Sequence, residues 1–236
     1  MTIGERFDAE NRRRLEQCRD SASAGDRSSA NALLDELHWF AHDDAEVHVA
    51  VHRLEWQLAR EAGDARAAIR SVLPNVFAGA IARLERLGPS YHAEARIEAP
   101  RAVVYEVIAD VARYAEWNPW LRSAIGGSSP GESVVADVVL GSGTQKADHE
   151  IAVAVPGERF AWRDRGWFTA LAHGQRLRIL IEEDGATRLL VRLSVTGPFA
   201  YLVHLLYGRA LAKGLGEETT AIARRAEALT KETRRG

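Results

Sequence analysis

A single cysteine, Cys18, in 236 residues rules out an internal disulfide, so stability does not call for an oxidising compartment. Long apolar runs are missing as well. Nowhere do about 18 hydrophobic residues follow one another, so integral membrane association is not expected. Met1 to Cys18 is studded with Arg, Asp and Glu and has no apolar signal core, which points to a cytoplasmic protein. Charge of one sign is not in excess: a formal net charge of −2 offers no attraction to phosphate backbones, and nucleic acid is not an expected partner. There is no Gly-rich phosphate loop, nucleophile elbow or Cys-based metal motif. What remains is an ordinary soluble composition, 46% hydrophobic and 27% charged, in a chain long enough for one large or two modest domains.

The front of the chain, from Glu5 to about Leu87, reads as helical, rich in Ala, Leu, Arg and Glu. Gly25-Asp26 and Gly63-Asp64 punctuate it, each preceded by Ala, and the segments after them correspond. A repeat of roughly 40 residues with a helix–turn–helix per unit has the form of a TPR-like arrangement. Two units predict a four-helix hairpin pair, with helices near 5–24, 27–42, 44–62 and 65–87. Asp26, Asp44 and Asp64 suit N-caps, and Pro74 predicts a kink in the fourth helix.

Half of the eight histidines fall between His38 and His52. His38 and His42 are four apart, as are His48 and His52, and each pair projects from one helical face. With Asp43-Asp44 as the turn, both pairs approach one hairpin end, a pattern suited to a divalent transition metal; Asp35 and Glu55 could add oxygen ligands or accept hydrogen bonds from the imidazoles behind the metal. The same residues equally suit a helix C-terminus and an ordinary polar interface. L-H-W-F-A-H through H-V-A-V-H-R-L-E-W resembles a small bacterial helical domain family of unknown function, with His38, His48 and His52 at its matching positions and His42 peculiar to this chain. That resemblance covers roughly residues 5–87 and implies no activity.

From Tyr91 the period becomes two. Tyr91, Ala93, Ala95 and Ile97 alternate with polar residues up to Pro100, and helical sequence follows to about Trp117. E-W-N-P-W at 116–120 ends that stretch, since Pro119 removes a donor and biases Asn118 away from helix. Its two indoles suit a pocket wall or a plug in a helix–sheet corner. Six strand-like runs come next, at 120–125, 133–140, 146–155, 159–163, 171–182 and 187–196, and one long helix after Gly197-Pro198. An antiparallel sheet around that helix satisfies this order, giving an α+β chain with an all-helical domain at 1–88 and a sheet domain at 89–236.

I-E-A-P-R-A-V-V-Y-E-V-I-A-D, Y-A-E-W-N-P-W, H-G-Q-R-L-R-I-L-I-E-E-D-G-A-T-R-L and the T-G-P-F helix start resemble the START-like superfamily of polyketide cyclases/dehydrases and lipid-transfer proteins, over about Tyr91 to Ala228. The resemblance implies a helix-grip fold with a deep apolar cavity between sheet and helix. It also implies a small hydrophobic ligand, carried or transformed, and brings no shared catalytic motif.

Strand parity then fills the cavity. Arg188 and Arg192 facing water turn Leu189, Val191, Leu193 and Val195 inward. The same rule sets Leu177, Ile179 and Ile181 inward with His173 and Gln175, and Arg176 and Arg178 outward. His149 goes in with Ile151, Val153 and Val155, and Phe160 shares a face with Trp162. Tyr105, Trp117, Trp120, Trp162 and Gln175 are expected ligand contacts, with Tyr201, His204 and Tyr207 at the mouth or on the helix surface. His149 or His173 would be the acid–base of any chemistry, though either alone suits a histidine bonded to a carbonyl at the sheet rim or reaching solvent at a strand end. Gly208, Gly214 and Gly216 in the last helix suggest close approach, a bend or room for ligand, and the charged tail from Ala223 reads as a solvated, frayed end.

Three functions follow from these residues. The first is a binding protein for a small hydrophobic molecule, with the helical domain as a metal or partner module, self-association included. The second is a cyclase- or dehydratase-type enzyme. The third is a metal sensor or metal-dependent enzyme built on His38, His42, His48 and His52.

Overall fold

The protein, seen in a computed structural model, is described over residues 1–41, 44–70 and 88–234. It divides into two compact units, Met1–Leu87 and Gly88–Gly236. In the first, α1 (Ile3–Ser23), α2 (Arg27–Phe40), α3 (Ala45–Glu61) and α4 (Ala65–Arg70) follow in order. Asp26 accepts from the Ser29 N–H, Asp44 from those of Glu46 and Val47, and Asp64 from that of Ala67, so each meets orphan donors of a first turn. Gly25 and Gly63 close α1 and α3 at φ +79° and +69°, a left-handed conformation that glycine takes without strain. Leu15, Cys18, Leu34, Leu37, Val47 and Val51 form the core of this unit. The expected continuation of α4 to residue 87, the kink at Pro74 and His42 lie outside the described residues.

The second unit holds β1 (Ser90–Ile97), α5 (Arg101–Ala109), a 3-10 turn at Val111–Arg113, and α6 (Tyr114–Trp117). Strands β2 (Leu121–Gly126), β3 (Ser133–Leu140), β4 (Gly143–Val155), β5 (Arg159–Asp164), β6 (His173–Glu183) and β7 (Ala186–Thr196) come next. The closing helix, α7, spans Ala200–Thr233. The strands make one curved antiparallel sheet in the order β1-β7-β6-β5-β4-β3-β2, a meander that the first strand closes by pairing with the last. Hairpins set this order: Asp184 and Gly185, both at positive φ, turn β6 into β7. Helix α7 packs on the concave face, and Trp120, Leu121, Ile151, Phe160, Trp162, Leu189, Val191, Leu215, Ile222 and Ala226 fill the interface. This is the expected α+β helix-grip architecture.

Two parity expectations fail, and both have a physical cause. In β6, Arg176 pairs with Leu193 and Trp162, and Arg178 with Val191 and Phe160, so the arginines share the helix-facing side with those residues. Leu177 and Ile179 pair with Arg192 and Leu190, and His173 and Gln175 stand with them on the other face. Charged residues ordinarily seek water; here a carboxylate on α7 compensates them. In β4, a bulge between Ile151 and Val153 shifts the register, so His149 and Ile151 face the helix while Val153 pairs with Ala161 on the opposite side. Arg192, expected to face water, is buried, and the tail from Ala223 is a continuous helix with Ala226 and Thr230 buried.

The helix glycines separate into distinct roles. A Cβ at Gly214 would collide with the indole of Trp120, and one at Gly208 would press on Tyr91 and His204, whereas Gly216 faces open space. Gly214→Ala is therefore expected to destabilise the protein by about 1–3 kcal/mol through overpacking, despite the roughly 1 kcal/mol that Ala gains in a helix. Gly216→Ala keeps that gain and should stabilise. Urea unfolding of both variants checks the pair; equal shifts would mean that the indole does not need the missing side chain.

Candidate functional site

The site grows out of a charge cluster inside the grip. Gly214, Glu218, Ile222, Ala226 and Thr230 recur every four residues along the buried face of α7, which carries the Glu218 carboxylate into the core. There it accepts from Arg176 Nη1 at 2.9 and 3.1 Å, from Arg178 Nη2 at 2.9 Å and from the Asn118 amide at 3.0 Å. Asn118 is held in turn by accepting the Trp120 N–H at 3.0 Å, so the E-W-N-P-W turn is tied to the helix. Arg176 lies 4.1 Å from the ring centroid of Trp120, and Arg178 4.7 Å from that of Trp162. Burial alone would raise the Glu218 pKa, yet the Arg176 and Arg178 guanidiniums bring it below its ordinary 4.5. Burial takes Arg176 down to about 10, with Glu218 opposing that shift and Arg178 reinforcing it. Two guanidiniums against one carboxylate leave the cluster itself positive, and Asp164 is the further acidic group that acts on Arg176 from the cavity wall.

It encloses a cavity of about 490 Å³. Trp120, Val138, Leu140, Leu193, Val195, Val203, Tyr207 and Leu211 give it an apolar wall; Arg176, His149 and Asp164 supply polar groups, and Trp167 and Phe168 also line it. His149 is 6% exposed and its ring stacks on Trp162, with centroids 5.2 Å apart and planes 6° from parallel. Its Nδ1 lies 3.0 Å from Asp164 Oδ1, close enough for an ion pair but with the N–H out of line for a full hydrogen bond. Nε2 is buried and has no hydrogen-bond partner among the described residues. Asp164 is fixed from its other oxygen, which accepts the Gly174 N–H at 2.8 Å. A side chain at 174 would strike that carboxylate, so glycine is what lets β5 and β6 bring Asp164 to His149.

The residues expected in the cavity are dispersed. His149, Trp120 and Tyr207 line it, and Trp162 backs His149. Tyr105 packs on Phe160 and Trp117 on Tyr114, both half-buried at the edge of the core, and Trp117 also lines an open groove along the outside of α7. His173 and Gln175 stand on the other face of β6 and line no part of the cavity. Tyr201 is exposed, and the Tyr91 hydroxyl shares a hydrogen bond of 2.8 Å with His204 Nδ1. Arg176, Asp164 and Gly174 were not foreseen. The four-residue stripe on α7 with Glu218 in it is a signal for Arg176 alone, since a buried glutamate needs a cation opposite; nothing in the sequence pattern marks Asp164 or Gly174.

In the first unit, His48 and His52 are buried and their Nε2 atoms are 3.1 Å apart, while His52 Nδ1 and His38 Nδ1 approach the two Glu55 oxygens at 3.1 and 3.5 Å. Burial opposes ionisation of Glu55, but hydrogen bonds to His38 and His52 hold its carboxyl down at about 2.

Residues 97–220 match a family model described as polyketide cyclase / dehydrase and lipid transport. No curated protein matches significantly. Among solved structures, the di-domain ARO/CYC protein StfQ from the steffimycin biosynthetic pathway is similar at 14% identity, covering 74% of this chain and 62% of that one with a TM-score of 0.55. The Zhui aromatase/cyclase from Streptomyces sp. R1128 is 17% identical over 59% of this chain and 93% of its own, TM-score 0.48. A START superfamily protein from Mycobacterium smegmatis is 14% identical over 61% and 98%, TM-score 0.45. At these identities the likeness is one of fold. No helix among the described residues is long and apolar enough to cross a membrane.

Replacing Glu218 by Gln keeps the shape and strands two buried guanidiniums. A loss of about 3–5 kcal/mol in unfolding free energy is expected at neutral pH. Because the folded-state pKa of Glu218 is depressed, its stabilisation is complete above 4.5 and fades as pH falls through the lower folded value. The gap between wild type and Glu218→Gln should therefore narrow in acid, as denaturant midpoints taken across that range would reveal; a constant gap would mean that the carboxylate charge is not what holds the cluster.

Proposed function

The chain belongs to the polyketide cyclase/dehydrase and lipid-transport family, and from that premise we propose that it binds a small hydrophobic molecule in the cavity between the sheet and α7. The observation that carries this reading is a mostly apolar cavity of about 490 Å³ with few polar groups, the composition of a small-molecule site. Positive charge at Arg176 favours an occupant with an electron-rich oxygen, such as a carboxylate, a phenolate or an enolisable carbonyl. Trp167, 87% exposed, and Phe168 form an apolar lip through which such a molecule enters.

A second reading, cyclase- or dehydratase-type catalysis, is favoured by His149. Its Nε2, buried and without a hydrogen-bond partner among the described residues, would take a proton from a carbon flanked by two carbonyls, while Asp164 would orient the ring and offset the imidazolium charge. The enolate formed lies in the field of Arg176. Its carbon attacks a second carbonyl of the same molecule, forming a C–C bond, and the imidazolium returns the proton to the new alkoxide. Loss of that hydroxyl as water, with a neighbouring proton, completes a dehydration. No oxidant or reductant is required.

Two measurements separate the readings. Wild type should enhance the fluorescence of 1-anilinonaphthalene-8-sulfonate, an apolar anion, and Leu211→Trp, which fills the cavity, should abolish the effect while leaving the circular dichroism unchanged. Dye uptake that ignores Leu211→Trp would refute the cavity reading. With a short synthetic poly-β-ketone thioester, His149→Asn should keep dye affinity but lose turnover by about 10²–10⁴-fold. A wild type that binds the dye and never turns the thioester over leaves the binding function alone standing.

A further inference from the structure

No member of the imidazole cluster of the first unit is among the residues that line the cavity. On α3, His48, His52 and Glu55 are spaced four and three apart and so share one helical face. His38 reaches the same place from the last turn of α2. One ligand atom from each of His38, His52 and Glu55 lies within 4.8 Å of the others. His52 Nδ1 is 3.1 Å from Glu55 Oε2, and His38 Nδ1 is 3.5 Å from Glu55 Oε1. The second ring nitrogen of His52 meets His48 Nε2 at 3.1 Å.

We propose that His38, His52 and Glu55 bind a divalent transition-metal ion, with His48 orienting the His52 ring from behind. The donor set decides the class of ion. Two imidazoles and one carboxylate suit zinc and its first-row neighbours, whereas calcium and magnesium take oxygen ligands. A site for softer ions would need thiolate, and the single cysteine is elsewhere, its Sγ 3.4 Å from the Ala30 carbonyl within the core. A metal-bound histidine generally has its other nitrogen held by an outer partner, which is the place His48 takes. The His52 side chain is 5% exposed, but those of His38 and Glu55 are 36% and 28% exposed, so an ion can reach the three donors from solvent. Three protein ligands leave a coordination position open to water or a small anion, the arrangement of reactive rather than purely structural sites.

The test uses the full chain, treated with chelator and then titrated with Co²⁺ and Zn²⁺ by equilibrium dialysis and visible spectroscopy. Wild type should take up one ion per chain, with ligand-field bands for Co²⁺ on nitrogen and oxygen donors. His52→Ala and Glu55→Gln should each weaken binding by about 100-fold or more, and His48→Ala by about 10–100-fold with the same stoichiometry. His52 is buried, so its loss could disturb α3; Glu55→Gln, on a partly exposed side chain, keeps the outcome interpretable alongside an unchanged circular dichroism spectrum. Dye uptake by the cavity should not respond to Glu55→Gln, which separates this site from the one on the sheet. Saturable binding absent from wild type would overturn the assignment. So would an affinity indifferent to Glu55→Gln but lost in His204→Ala, since the ion would then sit on the long helix instead.

Discussion

Glu218 is the point on which the sheet unit turns. One carboxylate, carried into the core by a helix stripe of small and apolar residues, receives two strand arginines and the Asn118 amide. Three separated stretches of chain meet there: the turn before β2, the middle of β6 and the middle of α7. A buried ion cluster is a poor source of net stability, because desolvation of the charges consumes most of their attraction. Its effect is selective. Any register of α7 that moves Glu218 by one turn strands two guanidiniums among aromatic rings, so competing packings cost far more than the native one gains.

The same cluster shapes the cavity next to it. Arg176 belongs both to the network and to the cavity wall, stacked against Trp120, which itself fits only because residue 214 lacks a side chain. The greasy wall and the charged one are therefore built from shared pieces. On the same face of the sheet, His149 is set by its stacking on Trp162 and by the glycine that admits Asp164. Polar groups in an apolar chamber are costly unless tied down, and each of these is tied by a short chain of contacts to the backbone.

Much of this architecture was legible in the sequence. Turn residues marked every strand boundary to within a few positions, the capping aspartates announced α2, α3 and α4, and the long closing helix was evident after Gly197-Pro198. Alternation gave the helix-facing set of β7, Leu189, Val191, Leu193 and Val195, because Arg188 and Arg192 lie on the other face, where Leu190 and Arg192 are nonetheless buried. It failed for β6, where Leu177 and Ile179 are buried on one face and Arg176 and Arg178 on the other. A strand buried on both sides carries no period-two signal of which side faces the helix, and the compensating glutamate lies 40 residues away from Arg178. His173 and Gln175 were placed in the cavity by that single inversion. The bulge after Ile151 was equally invisible, since it leaves composition unchanged and alters only the pairing.

Helix α7 is anchored from Gly214 onward by Trp120 and Glu218, whereas its opening turns carry Leu202, Leu205 and Leu206 out to solvent and turn Val203, Tyr207 and Leu211 toward the hollow. Ahead of that stretch Ala200 and Gly208 are buried and His204 bonds the Tyr91 hydroxyl, so α7 is pinned to the sheet on both sides of the residues that face the hollow.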